Sequence, residues 1–171
     1  MNELTDKIAA VILVNGASVG VGSAAVQFAV ERGTTVIGVA GPSNQNYLVS
    51  LGAIPATYGP GHVERVRARA RTGIDATVDI AGSGVIPELV ALTGDPCRVV
   101  SIADLSAPEH GARVSTGFGR QNPRPPRRRA PGRGRAAHPA RHTNLPLTQT
   151  AAAHVVNATG HVRGRIVITV P

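Results

Sequence analysis

Gly16, Gly20 and Gly22, with Ala17, Ser18, Val19 and Val21 between them, form a glycine-rich turn between the apolar run 11–14 and the apolar-periodic segment 23–32. Residue types in that order point to binding a dinucleotide's pyrophosphate. A strand ends, glycines let a phosphate approach the backbone, and a helix N-terminus turns unpaired N–H groups and the positive end of its dipole toward the charge. The same turn also closes ordinary strand–helix units, so the remainder of the chain has to support the reading.

Other candidate chemistry is sparse. His62, His110, His138, His142, His154 and His161 fall in turns, helices or a proline-rich stretch; only His138 and His142 have i, i+4 spacing, and they stand among prolines. No metal site is expected, zinc included. Cys97 is the single cysteine, which excludes a disulfide framework and a cysteine-based metal cluster, and it reads as a small buried residue. The only lysine is Lys7, so neither Tyr47 nor Tyr58 has a lysine four residues on; those positions hold Leu51 and His62.

The elements that must position the turn alternate along the chain. Strands are expected at 11–15, 34–39, 54–58, 74–80 and 98–102, with helices between them at 23–32, 43–51, 63–71 and 86–92. Ser43 is a candidate N-cap for the second helix, and Gly52 its stop. A last helix over 151–156, with Thr148 as candidate cap, leads to a final strand at 164–170. This alternation predicts an α/β fold, a doubly wound parallel sheet of Rossmann type covered by helices on both faces, in a single domain. In the third helix Arg65, Arg67, Arg69 and Arg71 recur every second residue, spread around its surface, and read as a solvated face.

The formal charge of +8 is local. Eight of the 18 basic residues lie between Arg120 and Arg141, and the other ten balance the ten acidic ones. That stretch, 118–144, holds Pro123, Pro125, Pro126, Pro131 and Pro139 and no aliphatic residue larger than alanine. It cannot bury enough apolar surface to offset its ordering entropy and is expected to be disordered. It divides the chain into 1–117, the first part of the domain; 118–144, an Arg/Pro-rich insertion; and 145–171, the last helix and strand. A nucleic-acid role for the arginines is disfavoured, because no aromatics interleave them. The acidic start and the lack of an apolar run near the ~18 residues of a membrane span predict a soluble, cytoplasmic protein.

Several local patterns resemble the medium-chain dehydrogenase/reductase superfamily, specifically the cofactor domain of its quinone-oxidoreductase-like and zinc-binding alcohol dehydrogenase members. They are 14–22, Ser50-Leu-Gly-Ala53, Tyr58-Gly59, 73–79 with Ala81-Gly82, and the tail 159–167. The turn also resembles that of short-chain dehydrogenases, but their Tyr/Lys proton-transfer pair is absent. The resemblance implies a six-stranded Rossmann domain binding a nicotinamide dinucleotide, here without the N-terminal catalytic domain to which it is normally fused. Related domains pair through an exposed edge strand, which implies a homodimer. Two departures stand out. Val19 replaces a glycine and its Cβ crowds the pyrophosphate path. The Arg/Pro segment stands where the family has a helix and a short strand, and reads like a stretch translated out of frame and then restored.

Backbone groups of Gly20, Val21 and Gly22 would hold the pyrophosphate; by resemblance, Ala81, Gly82, Ile102 and Ala103 would line the ribose and nicotinamide. No acid occurs between Glu31 and Glu64, so the carboxylate that selects NAD(H) through the ribose 2′-OH is missing. Ser43, Asn44 and Tyr47 can donate to a 2′-phosphate, which favours NADP(H) over NAD(H), although no Arg or Lys is expected there to pair the phosphate. The expected function is hydride transfer to or from a small carbonyl, alcohol, quinone or enone. The alternative is a non-catalytic nucleotide- or partner-binding remnant.

Overall fold

The structure is a computed structural model that describes residues 10–115, 141–160 and 162–170. The expected disorder of the Arg/Pro insertion falls outside them for 118–140.

Six parallel strands form the main sheet: β1 (Val11–Asn15), β2 (Thr35–Ala40), β3 (Ile54–Thr57), β4 (Ala76–Asp79), β5 (Val99–Ser101) and β6 (Arg113–Val114), in the spatial order β3-β2-β1-β4-β5-β6. Between them run α1 (Gly20–Glu31), α2 (Gln45–Ser50), α3 (His62–Arg67) and α4 (Ile86–Thr93). The strands are nearly continuous aliphatic runs because both faces are covered. The period of two is visible in the packing. Leu13, Ile37 and Val39 point to one core with Val66, Ile86 and Leu89, while Val14, Val36 and Ala40 point to the other with Val26 and Leu48.

The sixth strand differs from expectation. It is the two-residue β6, too short to carry a pattern, which follows a short turn and pairs with β5. The final strand, β8 (Arg165–Thr169), instead pairs in parallel with β7 (Arg141–Pro146) in a separate two-stranded sheet, with α5 (Thr150–Ala158) between them. With the outer edge of β5 already taken by β6, the last strand is left to this second sheet. Residues 141–144, expected to be disordered with the insertion, therefore belong to a strand.

The expected burial of Cys97 is corrected, since it is exposed in the short turn before β5, and so are the expected caps. Neither α2 nor α5 has a side-chain cap; a single 3₁₀ turn, Pro42–Asn44 or Leu147–Gln149, leads into each and places Ser43 and Thr148 inside it. Arg65 is not part of a solvated face either, since its guanidinium folds back onto backbone carbonyls. No helix among the described residues is long and apolar enough to cross a membrane.

Candidate dinucleotide site

The chain runs outward through β1, β2 and β3 and then returns to place β4 on the other side of β1, so the strand order reverses between β1 and β4. Open parallel sheets bind ligands beyond the carboxyl ends of the strands at such a point. The glycine turn lies there. Gly22 is obligatory for it: a Cβ at that position would stand 2.0 Å from the Gly16 carbonyl oxygen. The amides of Val21 and Gly22 at the start of α1 carry no hydrogen bond among the described residues, whereas the Gly20 amide faces the Gly164 carbonyl across the Val19–Gly164 bridge and Ser23 N–H donates to the Val19 carbonyl at 2.8 Å. Unpaired helix-terminal donors are the physical requirement for an anion.

Two cavities flank the turn and share Val19. The first, about 400 Å³, is lined by Gly16, Ser18, Asn44, Tyr58, Ala81 and neighbours including Ser83 and Val85. The second, about 520 Å³, is lined by Gly20, Val21, Ile80, Ile102 and Ala103 and, across from them, His154, Asn157 and Arg165. Val19 itself has φ −76° and ψ 171°, a backbone any residue adopts, so its Cβ does not strain the turn. The valine instead occupies space between the cavities.

Beneath the site a buried polar cluster fixes the strand ends. Asp79 Oδ1 accepts from Asn15 Nδ2 at 2.8 Å and from the amides of Gly82 and Ala81 at 3.1 and 3.2 Å, and Oδ2 accepts from Ser101 Oγ at 2.7 Å. Ser101 Oγ in turn accepts from the amides of Ala103 and Asp104. One carboxylate thus ties together the carboxyl ends of β1, β4 and β5 and the two turns that line the second cavity. Asp104, just beyond, has its pKa held below the ordinary value by hydrogen bonds from the Ser106 hydroxyl and amide.

The end of β2 acquires a cation from a distant part of the chain. Arg163 Nε donates to Asn44 Oδ1 at 2.9 Å and Nη2 to the Ser43 carbonyl at 3.0 Å, while its guanidinium lies 5.3 Å from the centre of the Tyr47 ring. Its Nη1 has no hydrogen-bond partner among the described residues. Asn44 Nδ2 donates to Ser18 Oγ at 3.4 Å, which links this corner to the glycine turn. The segment bearing Arg163 is seated by Gly164, whose N–H donates to the Ser18 carbonyl at 2.7 Å and which bridges Val19.

Most residues singled out by sequence therefore converge. Gly16, Ser18, Val19, Gly20, Val21, Asn44, Tyr58, Ala81, Ile102 and Ala103 line the two cavities. Ala17 and Gly22 lie buried beneath the turn, and Gly82 packs against Ala103. Ser43 and Tyr47 line neither cavity; Ser43 presents its carbonyl, not its hydroxyl, to Arg163, and Tyr47 presents its ring. Sequence reasoning missed Arg163, Asn15, Asp79 and Ser101. The only local signal was a polar residue closing each of the apolar strands β1, β4 and β5. Among the described residues no group of three or more His, Cys, Asp or Glu side chains could hold a metal ion.

The fold is that of known oxidoreductase structures. The chain is similar to the quinone oxidoreductase from Coxiella burnetii, with 24% identity and a TM-score of 0.67 over 95% of this chain and 53% of that one. It is similar to the CurK enoyl reductase, with 23% identity and a TM-score of 0.72 over 95% of this chain and 55% of that one. A third likeness is to mycobacterial Rv1454c complexed with NADPH, with 15% identity and a TM-score of 0.69 over 97% and 60%. The chain spans about half the length of these proteins. No protein-family model matches it, and no curated protein does.

Proposed function

We propose that this chain is the NADP(H)-binding domain of an oxidoreductase of the medium-chain dehydrogenase/reductase type, similar to quinone oxidoreductases and alcohol dehydrogenases. The observation that carries the reading is the pairing of the unpartnered amides at the start of α1 with Arg163 over the end of β2. The amides would hold the pyrophosphate. Arg163 would face the ribose 2′-position, where no carboxylate opposes a phosphate and an Nη1 group is left to donate to it. The cavity beside Tyr58, Ser83 and Val85 suits an adenosine in size and polarity, and the one beside Ile102 and Ala103 suits a nicotinamide ribose.

Bound there, the nicotinamide supplies a hydride donor or acceptor for a small carbonyl, alcohol, quinone or enone. The chain's own part is positioning. Ile80, Ile102 and Ala103 give the second cavity an apolar wall that excludes water from one face of a ring, and Asp79 holds the turns carrying those residues at fixed separation.

The test is a titration of the purified protein with NADPH and with NADH, followed by nicotinamide fluorescence, with Gly20→Asp as control. The expected result is saturable binding favouring NADPH and lost in the control, where a carboxylate stands at the pyrophosphate amides. Absence of binding by either cofactor would overturn the reading.

A further inference from the structure

Arg65 makes an unusual set of contacts. Its Nε and Nη2 donate to the Thr57 carbonyl at 3.3 and 3.2 Å, Nη2 also donates to the carbonyls of Tyr58 and Gly59 at 3.1 Å each, and Nη1 donates to the Pro60 carbonyl at 2.7 Å. Four consecutive carbonyl oxygens of the loop from β3 to α3 thus converge on one guanidinium. Backbone carbonyls in a row do not ordinarily face a common centre. They do so here because Gly59 and Gly61 adopt φ of +93° and +74°, a left-handed conformation that turns successive peptides inward. A Cβ at Gly61 would lie 3.3 Å from Arg65 Nη1, so the loop is closed tightly around the cation.

The loop so gathered carries Tyr58 and Gly59 into the lining of the first cavity. Tyr58 has no large apolar neighbourhood to hold it: it is half exposed, and its hydroxyl lies near Gly41, 3.2 Å from where a Cβ would stand. Backbone placement must therefore determine where its ring sits. Lysine would substitute only in part, because a single ammonium lacks the planar fork that spans four acceptors.

We infer that Arg65 is a positioning residue for the adenosine end of the site, acting through Tyr58. The inference rests on the reading of that cavity as a dinucleotide site only for its binding consequence; the clamp on Tyr58 is independent of any ligand.

The test uses the full chain and has two arms. In a Tyr47→Phe background Tyr58 is the only tyrosine, and the protein has no tryptophan, so tyrosine anisotropy and acrylamide quenching report on Tyr58 alone. Arg65→Ala is expected to lower the anisotropy and raise the quenching constant, with Arg65→Lys intermediate. In the chain with both tyrosines, Arg65→Ala is expected to weaken NADPH binding about tenfold, on the scale of losing one aromatic contact with a base. Added to Tyr58→Ala, it is expected to weaken binding no further. A residue that merely supports the fold would instead weaken binding additively. Unchanged Tyr58 fluorescence in Arg65→Ala, or additive losses with Tyr58→Ala, would overturn the inference. If the unmutated chain binds no NADPH while Tyr58 still responds to Arg65→Ala, the dinucleotide reading fails and the clamp stands. Should Arg65→Ala lose its circular dichroism spectrum, Arg65→Lys and Gly61→Ala provide the same comparison, and normal Tyr58 signals in both would overturn the inference.

Discussion

Removing the Arg163 side chain should change the choice of cofactor rather than binding in general. In Arg163→Ala two effects combine. The hydrogen bonds to Asn44 Oδ1 and the Ser43 carbonyl disappear, loosening the corner for NADPH and NADH alike. The cation facing the 2′-position disappears too, and only NADPH carries a phosphate there. The ratio of the two affinities therefore isolates the second effect. Opposite unit charges about 4 Å apart interact by ~1 kcal/mol in water and ~4 kcal/mol in the less polar surroundings near a protein surface. Arg163 is exposed, so solvent screening sets the value near the lower end, about 1–2 kcal/mol. That corresponds to a loss of roughly 5–30-fold in NADPH affinity relative to NADH. Calorimetric titration at low and high salt measures it, and the NADPH preference of the unmutated chain should shrink as salt rises while that of Arg163→Ala stays flat. Equal losses for both cofactors, or an unchanged ratio, would refute the assignment of Arg163 to the phosphate.

Three further outcomes are expected. Thr77 Oγ1 is buried without a hydrogen-bond partner among the described residues, so Thr77→Val should stabilise the fold by about 1 kcal/mol and raise Tm by about 2–4 °C in a calorimetric scan. Asp79→Asn keeps the shape but sets an amide NH2, a donor, against the Ser101 hydroxyl that donates to Asp79 Oδ2 and already accepts two amides; urea unfolding should show a loss of about 2–4 kcal/mol. Gly41 has φ −64° and ψ 160°, which alanine adopts freely, so Gly41→Ala should fold normally yet press on the Tyr58 hydroxyl. It should weaken NADPH and NADH to the same extent, about 3–10-fold on a cost near 1 kcal/mol, as fluorescence titration would show.

The main sheet was legible because its signals are local. A strand buried on both faces leaves an aliphatic run, and the turn from β1 to α1 needs glycine for a steric reason that acts within six residues, Gly16 to Gly22. What was not legible depends on contacts between distant segments. Arg163 reaches Ser43 and Asn44 from the far end of the chain, and nothing near either position announces the other. β6 is two residues long, too short for any alternation. β7 carries polar side chains through most of its length, Arg141-His-Thr-Asn144, and is a strand only because β8 lies beside it. The Arg65 clamp was hidden for another reason: arginines at alternating helical positions look equivalent in sequence, and only the left-handed glycines preceding the helix make one of them different.

The seating of Gly164 on Ser18 and Val19 has a consequence for how the protein is made. A growing chain can form β1 and α1 soon after they emerge, and the main sheet builds as β2 to β6 follow, with β1 pairing to β4 across a long stretch of chain. The turn, however, meets its lid only when residues 162–165 have left the ribosome, many seconds later at ordinary synthesis rates of about 5–20 residues per second. Until then the amides of α1 face open water, and Ser43 and Asn44 have no cation. A nascent chain therefore has its sheet well before the glycine turn and the end of β2 are complete, and both are completed in a single late step.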